Sequence, residues 1–163
     1  MNRTIDGESR AAEDQARKSS EQRILSMTPD GKTGDSTKSV VRCRIEELAQ
    51  AIREKDLDRV MTFYAREVEV FDLRYSLNVP GAAAYRNNFE HWFDSFEGPI
   101  GFEHHNLRIA VDEGVAVCHY LALVTGARPG GRTSGYWARG TTCFERREGE
   151  WLVTHEHIST PAQ

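Results

Sequence analysis

The sequence predicts an α+β fold, three helices set against one curved antiparallel sheet. Three observations lead there. Apolar residues recur three and four apart up to about residue 96. From residue 101 to residue 159 they recur two apart. The stretches between are short turns rich in Gly, Pro, Asp and Glu.

Val41, Ile45, Leu48 and Ile52 fall on one stripe, which predicts an amphipathic helix over about 38–54. Asp56 is a good N-cap for a short second helix whose buried stripe is Leu57, Val60, Met61 and Tyr64. From Glu67 to Leu73 the period changes to two. Val68, Val70 and Asp72 share one face and Glu69, Phe71 and Leu73 the other, which predicts a strand. A loop over 74–81 ends in Pro80-Gly81. A third helix follows with Tyr85, Phe89, Trp92, Phe93 and Phe96 on one side, until Gly98-Pro99 stops it. Four strands complete the chain, at 101–111, 115–125, 134–147 and 150–159. Tight turns at Asp112-Glu113-Gly114 and Glu148-Gly149 and a Gly- and Pro-rich loop over 126–133 connect them.

Ahead of these elements lies a different kind of sequence. Residues 1–38 hold Ile5, Ile24, Leu25 and Met27 as their large apolar side chains besides the initiator, and their charges balance. So little apolar surface cannot offset the entropy of ordering, so 1–38 reads as a disordered tail and 39–163 as a single domain. The domain carries the whole net charge of −4 and shows no basic face, which excludes a nucleic-acid binder. No apolar run reaches the roughly 18 residues of a membrane span, and the N-terminus lacks an apolar stretch of signal-peptide length. Cys43, Cys118 and Cys143 are odd in number and lack metal-ligand spacing, so they read as reduced core thiols of a cytoplasmic protein.

The last strand is the most informative. Strict alternation puts Trp151, Val153, His155, His157 and Ser159 on one face and Leu152, Thr154, Glu156 and Ile158 on the other. Trp and Val belong in an interior, so the histidines and the serine are expected to follow them inward and to wall a polar-ended pocket. His119 shares parity with Val115, Val117, Leu121 and Leu123 and is also expected to point at an apolar face. Arg139 shares a face with Trp137, Thr141 and Cys143, where a guanidinium needs an acidic partner or an anionic ligand group. Leu152 and Ile158 on the outer face point to a homodimer through the sheet. His155 and His157 are spaced to chelate a metal with Asp72 or His119, although His-x-His alone is a weak signal. His104-His105 is weaker still, because strand neighbours point to opposite faces.

The order of motifs resembles the nuclear-transport-factor-2-like superfamily, in its bacterial SnoaL-like or ketosteroid-isomerase-like branch. The carriers are Lys55-Asp56-Leu57-Asp58, Phe63-Tyr64-Ala65, Val70-Phe71-Asp72, Pro80-Gly81 with Tyr85, and Trp92-Phe93 leading to Phe96-Glu97-Gly98-Pro99-Ile100. Trp137-Ala138-Arg139-Gly140-Thr141 and the closing Gly149-Glu150-Trp151 with His155-Glu156-His157-Ile158-Ser159-Thr160-Pro161 complete the set. The resemblance covers about 38–161. It implies a cystatin-like cone whose sheet wraps the long helix around a mostly apolar pocket, and a cofactor-independent isomerase, cyclase or dehydratase acting by proton transfer on a small apolar or polycyclic molecule. A non-catalytic binding module or a purely structural dimer are the alternatives, since fold does not settle function.

Residue by residue, the resemblance places Asp72 at the general base of ketosteroid isomerase, where a carboxylate in apolar surroundings can shuttle a proton. It places Leu48 where that enzyme carries its enolate-stabilising tyrosine, which argues against steroid isomerisation. Dehydratases of the superfamily use a histidine pair with an aspartate, which keeps His119, His155 and His157 as candidates beside Asp72 and Arg139. An Asp72–Arg139 ion pair would instead keep the aspartate ionised and a poor base. Phe71, Tyr75, Tyr85, Phe89, Trp92, Phe93, Trp137, Thr141 and Ser159 are expected to line the pocket. No metal and no cofactor is expected.

Overall fold

The computed structural model describes residues 31–73 and 77–161. Most of the tail expected over 1–38 lies outside them, but its last part is helical. Helix α1 spans Gly31–Arg53 and so begins ahead of residue 38. Its stripe of Val41, Ile45, Leu48, Ala49 and Ile52 is buried, as the spacing requires. Lys55 ends it at φ 55°, with Lys55 N–H donating to Ile52 C=O and Asp56 N–H to Ala51 C=O. These bonds satisfy the last carbonyls of the helix in a Schellman arrangement.

Helix α2 spans Leu57–Met61, and its first turn is capped by Asp56, which accepts from Arg59 N–H at 3.0 Å. Strand β1 then runs Tyr64–Phe71, so Tyr64 opens a strand instead of closing the helical stripe. Val68 and Val70 point inward, as the alternation predicts. After the short β2 at Val79–Pro80 comes α3 at Ala82–Asp94, which buries Tyr85, Phe89 and Phe93 at four-residue spacing. Strands β3 at Glu97–Val111, β4 at Val115–Arg128, β5 at Arg132–Arg147 and β6 at Glu150–Ser159 complete the fold. Within residues 35–163 these elements form one compact unit.

The sheet is six-stranded, curved and unclosed, in the order β2-β1-β6-β5-β4-β3. Strands β3 to β6 pair antiparallel as consecutive neighbours. Strand β1 joins β6 in parallel, which makes the sheet mixed. The β5–β6 turn leaves only Glu148 and Gly149 between the paired Arg147 and Glu150, with φ of 51° and 91°. Both central residues of that two-residue hairpin have positive φ, the backbone that matches strand twist.

The inner face of β4 is Ala116, Cys118, Tyr120, Ala122 and Val124, all buried. Beside it, β5 turns Ala138, Gly140, Thr142 and Phe144 inward. The helices cover this face, and Phe144, Ile45, Val41, Val68 and Val153 are among the most fully buried side chains. Each such burial stabilises by about 1.5–3 kcal/mol. Of the three cysteines only Cys118 is a core thiol, pushed up to about 12 mainly by burial, whereas Cys43 is exposed and Cys143 half-buried. The expectation of three core thiols therefore holds for one. Among the described residues no helix is long and apolar enough to cross a membrane.

Candidate functional site: an aromatic cavity with a buried glutamate

One extra residue in β6 decides what faces the interior. Phe144 pairs with Val153, but Cys143 pairs with His155, which leaves Thr154 unpaired as a bulge. A bulge inserts one residue and reverses the alternation beyond it. Trp151 and Val153 are buried ahead of it, and Glu156 is buried after it. Ile158 also turns inward, opposite Gly140. His155, His157 and Ser159 are thereby carried to the outer face. The expectation that the two histidines follow Trp151 and Val153 inward fails at this single residue.

The inner faces of β4 and β5, the end of β6, α1 and α3 enclose a cavity of about 180 Å³. Its walls are largely aromatic, with Tyr64, Tyr85, Phe89, Trp92, Tyr120 and Tyr136 contributing. Leu48 and Ile52 of α1 close one side. Small residues make the room. Ala122 and Ala138 line the cavity, and a Cβ at Gly140 would collide with the Tyr120 ring. A cavity of about 150 Å³ lined by apolar side chains holds benzene, so this one has room for one ring or two small fused rings.

Glu156 is the floor of the cavity. Its Oε2 accepts from Tyr85 OH at 2.7 Å and Tyr64 OH at 3.0 Å, and its Oε1 accepts from Thr142 OH at 3.0 Å. Because the Thr142 hydrogen is committed to Glu156, the 3.1 Å contact between Tyr120 OH and Thr142 Oγ1 has Tyr120 as donor. Every hydroxyl hydrogen of the network therefore runs toward one carboxylate. Burial pushes the Glu156 carboxyl above the ordinary carboxylate range, opposed by the three hydroxyl donors. The same burial, with the nearby Glu156 charge, holds the Tyr64 and Tyr85 phenols well above 10.

Asp72 and His104 are the other ionisable groups of note on the wall. Asp72 follows the last residue of β1, half-buried. Its Oδ2 accepts from Asn88 Nδ2 at 2.9 Å and its Oδ1 from Leu73 N–H at 2.7 Å. Among the described residues it has no arginine partner, for Arg139 lies on the outer face of β5 and donates to Thr160 C=O at 2.9 Å. His104 points inward from β3, its ring edge-on to Tyr120 with centroids 4.3 Å apart. Its side chain is 5% exposed, and Nδ1 has no hydrogen-bond partner. Glu46 Oε2 stands 3.7 Å from that nitrogen, too far for a hydrogen bond but near enough to oppose the effect of burial. Burial prevails and lowers the imidazole below 6.5, which leaves it neutral at pH 7.

The expected site residues separate into two groups. Asp72, Tyr85, Phe89 and Trp92 line the cavity, and Trp92 Nε1 donates to Tyr136 OH at 3.1 Å. Phe93 is buried in the core beside it. Tyr75 lies outside the described residues. The remainder belong to the outer face of the sheet. His119 and His157 each pair with Thr141 in the ladder, Ser159 pairs with Arg139, and Trp137 is 45% exposed. Phe71 also turns outward, its ring 5.0 Å from that of His155 and 5.9 Å from that of His157. Asp72 and the His155–His157 pair thus lie on opposite sides of the sheet and do not converge. Sequence reasoning missed Glu156, Thr142 and the inward-pointing His104. The parity of Thr142 and Tyr136 with buried Phe144 was a usable signal.

The SnoaL-like domain family matches residues 41–163, and the chain belongs to it, within the nuclear-transport-factor-2-like superfamily. An NTF2-like protein of unknown function from Pseudomonas putida KT2440 is similar in structure at TM-score 0.72 and 28% identity, over 79% of this chain and 89% of that one. A proposed scytalone dehydratase from Novosphingobium aromaticivorans DSM 12444 superposes at TM-score 0.73 and 14% identity, over 81% of this chain and 89% of that one. The association domain of C. elegans CaMKII does so at TM-score 0.66 and 16% identity, over 78% and 98%. The last two show the shared fold alone. No curated protein matches the chain in sequence.

Proposed function

We propose that the chain is a cofactor-independent enzyme that moves a proton on a small cyclic substrate held in the aromatic cavity, an isomerase, cyclase or dehydratase in reaction class. The observation that carries this reading is Asp72. It is a carboxylate on the wall of an apolar cavity, oriented by Asn88 and free of any cationic partner among the described residues. A carboxylate so held can take a proton from carbon, and the neutral His104 imidazole or the Tyr136 hydroxyl can polarise the oxygen that gains charge. Likeness in fold to a proposed dehydratase supports the reaction class. His119, Arg139, His155 and His157 have no part in this chemistry, since they lie across the sheet.

The outer face of β4 and β5 exposes Val117, Leu121 and Trp137 and supports a homodimer through the sheet. Ile158 leaves that interface because the bulge turns it inward. The exposed thiol of Cys43 supports a cytoplasmic setting.

The test is deuterium exchange at the carbon beside the carbonyl of 1-indanone in D₂O, followed by NMR. The wild-type protein is expected to accelerate exchange, and Asp72→Asn to lower that rate at least ~100-fold while the fold is kept. Exchange unchanged in the Asn variant would remove Asp72 as the base.

A further inference from the structure

Among the described residues Glu156 keeps one acceptor position that no hydrogen bond fills, the Tyr120 hydroxyl, which also interacts with Glu156, being the donor to Thr142. An ionised carboxylate offers about four lone-pair sites. Oε2 takes two donors, Tyr64 and Tyr85, and Oε1 takes one, Thr142. The fourth site belongs to Oε1, on a residue that lines the cavity. Among the described residues no Lys or Arg lines that cavity and Glu156 forms no ion pair. A buried anion held only by neutral hydroxyls is under-compensated, because hydrogen bonds alone do not replace the hydration that an ion loses.

The surroundings also select for positive charge. Tyr64, Tyr85, Phe89, Trp92 and Tyr136 present aromatic rings to the same space, and ring faces attract cations. Asp72 adds a second carboxylate at the wall, and its charge acts on Glu156, Tyr85 and Tyr136. Among the described residues the basic ones of the lining are His91 and His104, and His104 is held neutral by burial.

We propose that the ligand of this cavity is a small ring compound carrying a protonated amine, whose N–H donates to the open position on Glu156 Oε1 while the ring stacks among the aromatic walls. The proposal rests on the reading of the cavity as a ligand site and names the ligand class for it. An ammonium there offsets the desolvation that pushes the Glu156 carboxyl upward. A carboxylate ligand would instead face two anions.

Benzylammonium, benzyl alcohol and benzoate share a ring and differ in charge, so they serve as probes of the full chain by NMR titration at pH 7. Benzylammonium is expected to bind about 10-fold more tightly than benzyl alcohol, as one charge-assisted hydrogen bond provides, and benzoate is expected not to bind. Glu156→Gln should bring the first two affinities together by weakening benzylammonium alone. Tyr85→Phe removes a hydroxyl donor and keeps the anion, so it should retain the preference or increase it, and it serves where the Gln variant does not fold. Benzyl alcohol or benzoate binding as well as benzylammonium would overturn the proposal, as would an undiminished preference in folded Glu156→Gln, or no binding by any probe. Failure here with intact Asp72-dependent exchange of 1-indanone would leave the proton-transfer reading standing. The reverse pattern would leave a cation-binding cavity without that chemistry.

Discussion

The two faces of strands β4 to β6 are made of similar residues and do opposite things. The inner face carries Tyr120, Thr142 and Glu156, linked by hydrogen bonds in a line that ends on the carboxylate. The outer face carries His119, Thr141, His155 and His157, also in adjacent register, with Thr141 between His119 and His157. There, in the single chain, His119 and His157 are exposed and Thr141 and His155 half-buried, so water can satisfy them. The difference teaches that polarity alone does not mark a site in this fold. What marks it is polarity that burial forces into partnership, since an unpaired buried group is expensive and an unpaired exposed one is not.

The sharpest way to break the contrast is to delete the same amount of side chain on each face. Glu156→Ala leaves the hydroxyls of Tyr64, Tyr85 and Thr142 buried without their acceptor and opens space beneath them. Three stranded donors at roughly 1 kcal/mol or more each predict a loss of about 3 kcal/mol or more. His157→Ala, exposed on the other side, should change monomer stability by less than about 0.5 kcal/mol. Urea unfolding at matched protein concentration measures both. Comparable losses would mean that the outer histidines are bound into the fold in a way their exposure does not show.

A smaller effect comes from the backbone that makes room for the cavity. Tyr120 lies over Gly140, and a methyl group there meets the ring edge and its hydroxyl. Gly140→Ala is therefore expected to push Tyr120 from Thr142 and to cost about 1–3 kcal/mol, the usual range for overpacking. Gly114 has open space around its missing Cβ, so Gly114→Ala is the control and should be close to neutral. Near-ultraviolet circular dichroism would report the Tyr120 displacement. An unchanged tyrosine signal in a stable Gly140→Ala protein would show that the ring moves freely and that the cavity is less well defined than its walls.

How far the sequence could be read follows from the same contrast. The helices were legible because Val41, Ile45, Leu48 and Ile52, and likewise Tyr85, Phe89 and Phe93, keep helical spacing without interruption. Strand β1 was legible up to Asp72 because Val68 and Val70 fix its phase. The site was not, for two reasons. In β6 the alternation from Trp151 runs correctly to Val153 and then meets an unpaired Thr154, and nothing in Val-Thr-His-Glu-His announces which residue bulges. In β4 the apolar run Val115, Val117, Leu121 and Leu123 reads as core, yet it is Ala116, Cys118, Tyr120, Ala122 and Val124 that face inward. Ala116, Cys118 and Ala122 leave the space that the cavity and the helices need, while Val115, Val117 and Leu121 stay exposed on the other face. A parity argument assigns members to faces correctly in both strands up to the bulge, but it has no means of saying which face is inside.

The smallest expected effect separates His104 and Glu156, two of the ionisable groups of the inner face, by sign. Burial lowers the His104 imidazole below its unfolded value of about 6.5, so the unfolded chain takes up the proton first. His104 therefore contributes stability that is present above pH 6.5 and is lost as pH falls through the lowered value. Burial raises the Glu156 carboxyl above its ordinary 4.5, so here the folded chain holds the proton more tightly. Its contribution is present below 4.5 and is lost as pH rises through the raised value. Between these limits the two slopes oppose each other and the wild-type profile is flattened. His104→Gln should expose the Glu156 slope, with stability falling as pH rises. Glu156→Gln should expose the His104 slope, with stability falling as pH drops. Urea midpoints from pH 4.5 to 7.5 resolve them, and variants whose profiles run parallel to the wild type would show that these two groups do not titrate with folding. The opposed slopes also bear on the ligand, because a cation on Glu156 should lower its carboxyl again and leave the His104 slope alone in the liganded protein.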